Sequence, residues 1–598
     1  LPELISRRDL DFLLYEWLDV ESLTERQRFA AHSRETFDAV LDLSTDIAEQ
    51  CFAPHNKKAD ANEPIMRPDG SVELIDEIAE ALRVYQSAGL TAGTFDDDLG
   101  GMQLPVTIGR ASMMWLQAAN VGTANYPFLT IANAQLLAKY GTADQVRHYV
   151  VPMVEGRYYG TMCLSEPQAG SSLADITTKA VPQGDGSYRI TGTKMWISCG
   201  EHDLGENIVH LVLAKSPGGG PGVKGISLFV VPKFLPGEDG IGLGERNDVT
   251  LMGLNHKMGV RGTTNTLLAF GDGTHQPGGR GGAVGYLVGQ EHAGLSCMFH
   301  MMNDARIGIG FIATALGYVS YLKSLDYAKV RTQGRPPGAK DPSASALPLT
   351  EHADVRRMLL AQKSYVEGSL ALALYCARLV DEQVTGNPES IREASALLDV
   401  LTPVVKSWPS EWCLKANDLA IQIYGGYGYT RDYDVEQHYR DNRLNRIHEG
   451  TNGIQAIDLL GRKVTLDSGY GWTTLLARVE NTVDRGQSAG GDAALHAATL
   501  RTAWSTLAEV TTELLAEPDA RLRLANASIY LDAVGMAVTA WMWLEQLLAA
   551  EGGTDDFYEG KRRAAEYFFT YELPQINSHI GVLRAGGQLL LDTTPECL

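Results

Sequence analysis

Several absences in this sequence each exclude a kind of protein. No uninterrupted apolar run approaches the ~18 residues that mark a membrane helix, so no membrane span is expected. The seven cysteines, at 51, 163, 199, 297, 376, 413 and 597, include no Cys-x-x-Cys pair. That odd, scattered set argues against a disulfide framework or a zinc site and predicts reduced, mostly buried thiols and no metal. Positive charge is scarce: 51 Lys and Arg against 73 Asp and Glu give a net charge of −22. A field of that sign repels nucleic acid and anionic membranes, so neither is expected as a partner. Leu1-Pro2-Glu3-Leu4 lacks the basic-then-apolar order of a signal peptide, and the chain reads as cytoplasmic. No internal repeat is present.

What is present is a chain of 598 residues, too long for one hydrophobic core, with 44% hydrophobic and 21% charged residues, as in ordinary soluble enzymes. Its texture falls into four blocks. Residues 1–159 show apolar spacing of three and four, as in Asp11 to Leu18, Thr36 to Leu43 and Leu74 to Leu82, and predict a helical domain. Residues 160–292 hold short β-branched runs bounded by glycine and proline: Tyr188 to Ser198, Ile208 to Leu213, Ile226 to Val231 and Thr264 to Phe270. These predict a small barrel or sandwich. Helical spacing returns over 293–467, with a Pro-rich surface loop from Pro336 to Pro348 between two long helices. Residues 468–598 predict a further helical domain, with runs at Trp504 to Leu515 and Tyr530 to Leu548. The fold class is therefore α+β and multidomain.

Five stretches carry chemistry. In Arg446-Ile447-His448-Glu449-Gly450-Thr451-Asn452-Gly453-Ile454-Gln455 a carboxylate precedes a glycine-rich turn that opens a helix. Such a turn aims a carboxylate into a pocket, or equally is a helix N-terminus with a favourable acid. Leu164-Ser165-Glu166-Pro167-Gln168-Ala169-Gly170-Ser171 leaves a strand for a loop of small hydroxyls and open N–H groups, suited to a planar polar ring or to a plain turn. Trp196 and Ser198 alternate on a strand and so face one side. Gln422-Ile423-Tyr424-Gly425-Gly426-Tyr427-Gly428 permits close backbone approach to a pyrophosphate but has no Rossmann spacing. Arg331-Thr332-Gln333-Gly334-Arg335 ends a helix and offers a guanidinium fork or a plain basic C-terminus. Asp96-Asp97-Asp98 reads as a solvated loop, and Lys561-Arg562-Arg563 as a solvated helix face.

Together these stretches, with Gly192-Thr193-Lys194-Met195-Trp196-Ile197-Ser198 and Gly200-Glu201-His202-Asp203, resemble the acyl-CoA dehydrogenase family in order and spacing over residues 90–465. The tail, with Tyr530-Leu531, Phe557-Tyr558 and Leu573-Pro574, is similar to the extra C-terminal domain of its long subclass, which includes broad-specificity mycobacterial-type and methylmercaptopropionyl-CoA enzymes. The resemblance implies the acyl-CoA dehydrogenase fold: an N-terminal helical domain, a small β-barrel domain, a helical bundle and the extra helices. It implies FAD-dependent α,β-dehydrogenation of an acyl-CoA, with electrons passed to an electron-transferring flavoprotein and a homodimer as the working form.

It also implies a role for each matching position. Glu449 is the α-proton base, its pKa raised by burial toward about 6–7. Met162, Leu164, Ser165, Gly170, Ser171, Trp196 and Ser198 hold the flavin. Arg331, Gln333, Gln422, Gly425 and Gly426 contact FAD across the dimer, and Thr451 and Gly453 also meet it. Ser171, Asn303, Arg306 and Gly450 contact the substrate, although Arg306 reads alternatively as a structural ion pair. His448 stands where tyrosine is common and is expected to fill that aromatic place. Ser172 and the aspartates near Gly100 also depart from the pattern. An oxygen-using oxidase on the same fold, a nitroalkane oxidase-like enzyme, a nucleic-acid-associated branch and an inactive flavin-binding paralogue are the alternatives.

Overall fold

The computed structural model describes residues 3–237, 242–341 and 343–598. The chain divides into two compact units, Glu35–Ala305 and a second formed by Leu1–Arg34 with Arg306–Leu598. The boundary on the C-terminal side falls within the helix Gly294–Val330. The segment up to Arg34 therefore goes with the C-terminal helices, not with the helices that directly follow it.

In the unit Glu35–Ala305 the helices come first, the longest being Val106–Tyr140. It is two helical pieces: Asn120 leaves helical geometry, and its Oδ1 accepts from the Thr123 N–H at 3.1 Å, recapping the second piece. The β-sheet that follows has eight strands. The four expected runs are found as Tyr188–Ser198, Asn207–Lys215, Ile226–Pro232 and Asn265–Phe270. Tyr158–Cys163, Lys179–Pro182, Val249–Leu254 and Ala283–Val288 complete the sheet. Pairing decides between barrel and sandwich. Tyr188–Ser198 pairs with Ala283–Val288, which pairs with Ile226–Pro232, which pairs with Asn207–Lys215. Lys179–Pro182 returns from Asn207–Lys215, at Lys179 opposite Lys215, to Tyr188–Ser198. The circuit closes, so this is a small barrel. Asn207–Lys215 is largely apolar because both its faces are buried: Val209, Leu211 and Leu213 join one apolar cluster, Val212 and Ala214 the other, with His210 a buried polar exception.

In the other unit, Ala353–Thr385 and Pro388–Tyr424 form a helical hairpin. Asn387 makes the tight link: its Oδ1 accepts from the Glu389 and Ser390 N–H groups at 3.0 Å, and Pro388 occupies the first helical position. The tail forms Tyr470–Ala489, Gly491–Ala516, Ala527–Ala549, Asp556–Tyr567 and Ile576–Ala585. Ala527–Ala549 is the tail's core helix. Its Trp543 Nε1 donates to the Ser364 carbonyl at 3.0 Å, tying the tail to the bundle.

Charge also joins the pieces. Lys561 is fully buried, ion-paired to Asp9 and, at 2.9 Å, to Glu367, and it donates to Gln546 Oε1 at 2.8 Å. The Tyr318 hydroxyl donates to Asp9 Oδ2 at 2.8 Å. This corrects the reading of Lys561-Arg562-Arg563 as a solvated face. Arg562 and Arg563 do pair at the surface with Glu559, but Lys561 points inward because Asp9 and Glu367 require a countercharge there. Two helices, Gly294–Val330 and Ala527–Ala549, have the length and mean hydropathy of membrane helices, but their apolar windows are 94% and 83% buried within the protein. They are core helices of this fold. Cys163, Cys199, Cys297, Cys376 and Cys413 are buried, and all seven thiols are free.

Candidate active site

The loop 164–171 is shaped by what it is tied to. Glu166 and Ala169 exchange backbone hydrogen bonds of 2.9 and 3.0 Å, closing a tight turn. The Glu166 carboxylate is buried and accepts from Thr177 N (2.6 Å), Thr177 Oγ1 (2.9 Å), Thr178 N (3.0 Å) and Thr178 Oγ1 (2.5 Å). Lys194, also buried, reaches Glu166 Oε1 at 3.0 Å and the Leu164 carbonyl at 2.9 Å. Burial pushes the Glu166 carboxyl upward, but the Lys194 charge and the threonine donors outweigh it and hold it down to about 2.

The strand beside this loop carries a bulge. Ile197 pairs with Thr266 and Lys194 with Leu268, so Tyr188–Ser198 has one residue more than its neighbour over this stretch. Trp196 absorbs it at φ +67°, a conformation rare for a tryptophan, and its indole is 60% exposed. The Met195 N–H donates to the Ser165 carbonyl at 3.0 Å, fastening the loop to the bulge. Ser198 is half-buried and its Oγ accepts from Asn265 Nδ2 at 3.3 Å, while Ile197 between them is buried. Trp196 and Ser198 are both accessible, but the bulge interrupts simple alternation here, so the exposure of Trp196 comes from the bulge and not from strand period. Gly170 and Ser171 are exposed, Leu164 and Ser165 half-buried, and Met162 buried beneath them. An exposed aromatic plane beside small hydroxyls fits a flat polar ring such as a flavin.

In the unit containing Arg306–Leu598 the second constellation is built on a strained turn. Glu449 lies at φ +55° and Gly450 at φ +85°. A Cβ on Gly450 would sit 2.6 Å from Gln455 Nε2, so only glycine fits. Gln455, buried, donates that Nε2 to the Glu449 and Gly450 carbonyls, both at 3.2 Å. Thr451 Oγ1 accepts from Ile454 N at 3.2 Å and caps the helix Asn452–Gly461. The turn costs about 1–3 kcal/mol of backbone strain and is held by these bonds.

Among the described residues neither the Glu449 carboxylate nor its N–H makes a hydrogen bond. The residue keeps some exposure, but its carboxyl is surrounded by protein, and that burial raises its pKa against the lowering pull of Arg306 and Lys406. Arg306 is 3% exposed and pairs with Asp458 Oδ2 at 3.2 Å. Its alternative reading as an ion-pair residue matches this contact. Lys406, on the helix Pro388–Tyr424, donates to Asn452 Oδ1 at 3.0 Å. His448 Nε2 lies 2.9 Å from Asn445 Oδ1, and burial together with Lys406 lowers its pKa to about 3, so it is neutral.

A third group lies on the surface of the same unit. Tyr327 and Tyr424 stack with centroids 4.1 Å apart, bringing together the ends of Gly294–Val330 and Pro388–Tyr424. Arg331, Gln333, Gln422, Gly425 and Gly426 are all exposed there. Thr451, Gly453 and Gly450 sit half-buried at the Glu449 turn, and Asn303 is half-buried on its helix in the other unit. Sequence reasoning left Glu166, Lys194, Lys406 and Asn452 without roles. Glu166, Lys194 and Asn452 lie inside the stretches that carry the resemblance, but nothing local marks Glu166 and Lys194 as a buried pair. Lys406 had no local signal at all.

Known proteins resemble this chain over most of its length. Residues 161–272 match the family described as acyl-CoA dehydrogenase, middle domain, residues 292–464 the acyl-CoA dehydrogenase C-terminal domain, and residues 475–594 the family described as acetyl-CoA dehydrogenase C-terminal like. The chain is 35% identical to 3-methylmercaptopropionyl-CoA dehydrogenase of Ruegeria pomeroyi, with 98% of each chain covered. It is 34% identical to the broad-specificity linear acyl-CoA dehydrogenase FadE5 of Mycobacterium tuberculosis, over 96% of this chain and 95% of that one. In fold it is similar to the acyl-CoA dehydrogenase of Bacillus anthracis solved with FAD, at a TM-score of 0.74, 19% identity, and 98% and 92% coverage.

Proposed function

Because the chain belongs to the acyl-CoA dehydrogenase family, whose members dehydrogenate acyl-CoA thioesters with FAD, we propose that Glu449 is its catalytic base. It removes the α-proton of the thioester, the product is the trans-2-enoyl-CoA, and the electrons pass to an electron-transferring flavoprotein. The observation that carries this reading is the state of Glu449: a surrounded carboxyl without a hydrogen bond, on a strained turn, with its pKa raised. A carboxylate spent on a fixed ion pair is a poor base, whereas one raised toward neutrality and left unpartnered matches the task.

The α-proton is weakly acidic, so the thioester carbonyl must be polarised as negative charge develops on its oxygen. The unengaged Glu449 N–H is the protein donor proposed for that oxygen. FAD, when bound, accepts the β-hydride, which no side chain does. In the unit Glu35–Ala305, Met162, Leu164, Ser165, Gly170, Ser171, Trp196 and Ser198 are proposed to hold the flavin ring, with Trp196 as its flat neighbour and Ser171 also meeting substrate. Asn303 and Gly450 are proposed substrate contacts. Arg306, being paired to Asp458 and facing Glu449, is assigned to the base and not to CoA. Thr451 and Gly453 are proposed FAD contacts. The exposure of Arg331, Gln333, Gln422, Gly425 and Gly426 supports their proposed role on the FAD of a second copy, hence a homodimer; the cytoplasm is its proposed location.

The test is anaerobic titration of the yellow protein with short-, medium- and long-chain acyl-CoAs, following flavin absorbance. Glu449→Gln is expected to keep FAD and bind acyl-CoA but to lose bleaching by about 10³- to 10⁴-fold. Near-normal bleaching in that variant would overturn the assignment.

A further inference from the structure

Lys406 sits in mid-helix with no exposed surface. Among the described residues its Nζ makes one hydrogen bond, to the neutral Asn452 side chain, and no ion pair within 4 Å. A buried ammonium in that position is costly unless a negative charge answers it. The other charged groups around it are already matched. Arg306, from Gly294–Val330, pairs with Asp458 of Asn452–Gly461, which also holds Arg462 just past that helix. Arg446, from the turn, pairs with Glu411 at 2.7 Å, and His448 is neutral. What remains among the charged neighbours of Lys406 is the carboxylate of Glu449, whose charge acts on it.

We propose that Lys406 is the positioning residue of the base: through Asn452 it fixes the turn that carries Glu449, and its charge keeps the Glu449 carboxylate ionised as the acyl group dries the site. The proposal rests on Glu449 being the base. Burial lowers Lys406 to about 7, with Glu449 pulling it back up and Arg306 and Arg446 pushing it further down. The lysine therefore holds its proton chiefly while Glu449 is ionised. Once the α-proton has moved to Glu449, no unmatched anion remains beside Lys406, and both groups relax together.

The experiment measures anaerobic flavin reduction across pH in the FAD-loaded enzyme, using the fastest-reducing member of the acyl-CoA panel. Lys406→Met removes charge and hydrogen bond, and Lys406→Arg keeps the charge. The midpoint of the acid limb is expected to rise by about one pH unit in Lys406→Met and to move by less than about 0.3 in Lys406→Arg, with FAD content unchanged in both. An unmoved midpoint in Lys406→Met overturns the proposal, and so does an equal shift in Lys406→Arg, which would make the effect one of packing. Lys406→Gln, neutral but polar, repeats the measurement if the Met variant loses FAD, and the same two readings decide. Glu449→Gln run alongside separates the failures: bleaching in that variant overturns the base itself, whereas lost bleaching with an unmoved Lys406→Met profile overturns only the role of Lys406.

Discussion

Two glutamates stand in the same kind of motif and have opposite fates. Glu166 and Glu449 each lie in a short loop with a buried lysine at hand. Glu166 has spent its charge: four donors from Thr177 and Thr178 and an ion pair to Lys194 hold its pKa to about 2. Among the described residues the Glu449 carboxylate has no hydrogen bond or ion pair, its nearby lysine is turned to Asn452, and its pKa is raised. The difference lies in where the lysine amine ends. Lys194 reaches its carboxylate and makes a structural anchor, while Lys406 stops at an amide and leaves a field without a clamp. A fold needs the first arrangement and a general base needs the second.

Amide substitution at the two positions should separate these roles most sharply. Glu449→Gln should remove about 10³- to 10⁴-fold of the flavin reduction rate. It should melt no lower than the parent at neutral pH, because a carboxylate with a raised pKa opposes folding once ionised. Glu166→Gln should do the reverse. It leaves the Lys194 ammonium buried without its countercharge, at a cost of about 3–5 kcal/mol. The loop tied through Ser165 and Met195 should then loosen, and FAD should be lost from folded protein. Thermal unfolding and flavin content of the two variants, read together, would break the comparison if Glu166→Gln proved as stable as the parent.

The parts of this picture that sequence could carry are those written in consecutive residues. Glu449-Gly450-Thr451 announces a glycine turn at a helix start, but the positive φ of Glu449 and the direction of its carboxylate are not written there. The strand Tyr188–Ser198 announces itself by β-branched and aromatic residues. The bulge at Trp196 does not, since it exists only as a mismatch with Asn265–Phe270, whose register is set elsewhere. Closure of the barrel through Lys179–Pro182 is equally silent, because four residues carry too little pattern. Lys561 was misread for the same physical reason. A lysine followed by two arginines looks solvated until Asp9 and Glu367, distant in sequence, are brought to it by tertiary packing. Lys406 is the extreme case, an ordinary lysine in an amphipathic helix whose meaning lies wholly in what faces it.

Acid should sharpen the contrast without any mutation. Glu166 has a folded pKa of about 2, below the ordinary 4.5 of glutamate. A depressed carboxylate contributes stability that is fully present above the unfolded value and is lost as pH falls through the folded one. The contribution of Glu166 should therefore fade between about pH 4.5 and 2. Denaturant midpoints across that window should fall more steeply in the parent than in Glu166→Gln. Parallel slopes would mean that Glu166 is not what the loop depends on.

The smallest expected effect concerns His448, adjacent to Glu449 and titratable in principle near neutrality. Its pKa is lowered to about 3, so it carries no charge through the range in which Glu449 works, and its Nε2 is committed to Asn445. A neutral ring supplies shape and one hydrogen bond, not a switch. His448→Phe should therefore cost about 1 kcal/mol of stability from the abandoned Asn445 contact and leave the midpoint of the pH–rate profile in place. A midpoint that moved with His448 but not with Lys406 would transfer the tuning of the base from the helix Pro388–Tyr424 to the turn itself. The contrast between the two glutamates would then rest on a neighbour in sequence and not on a lysine brought in by packing.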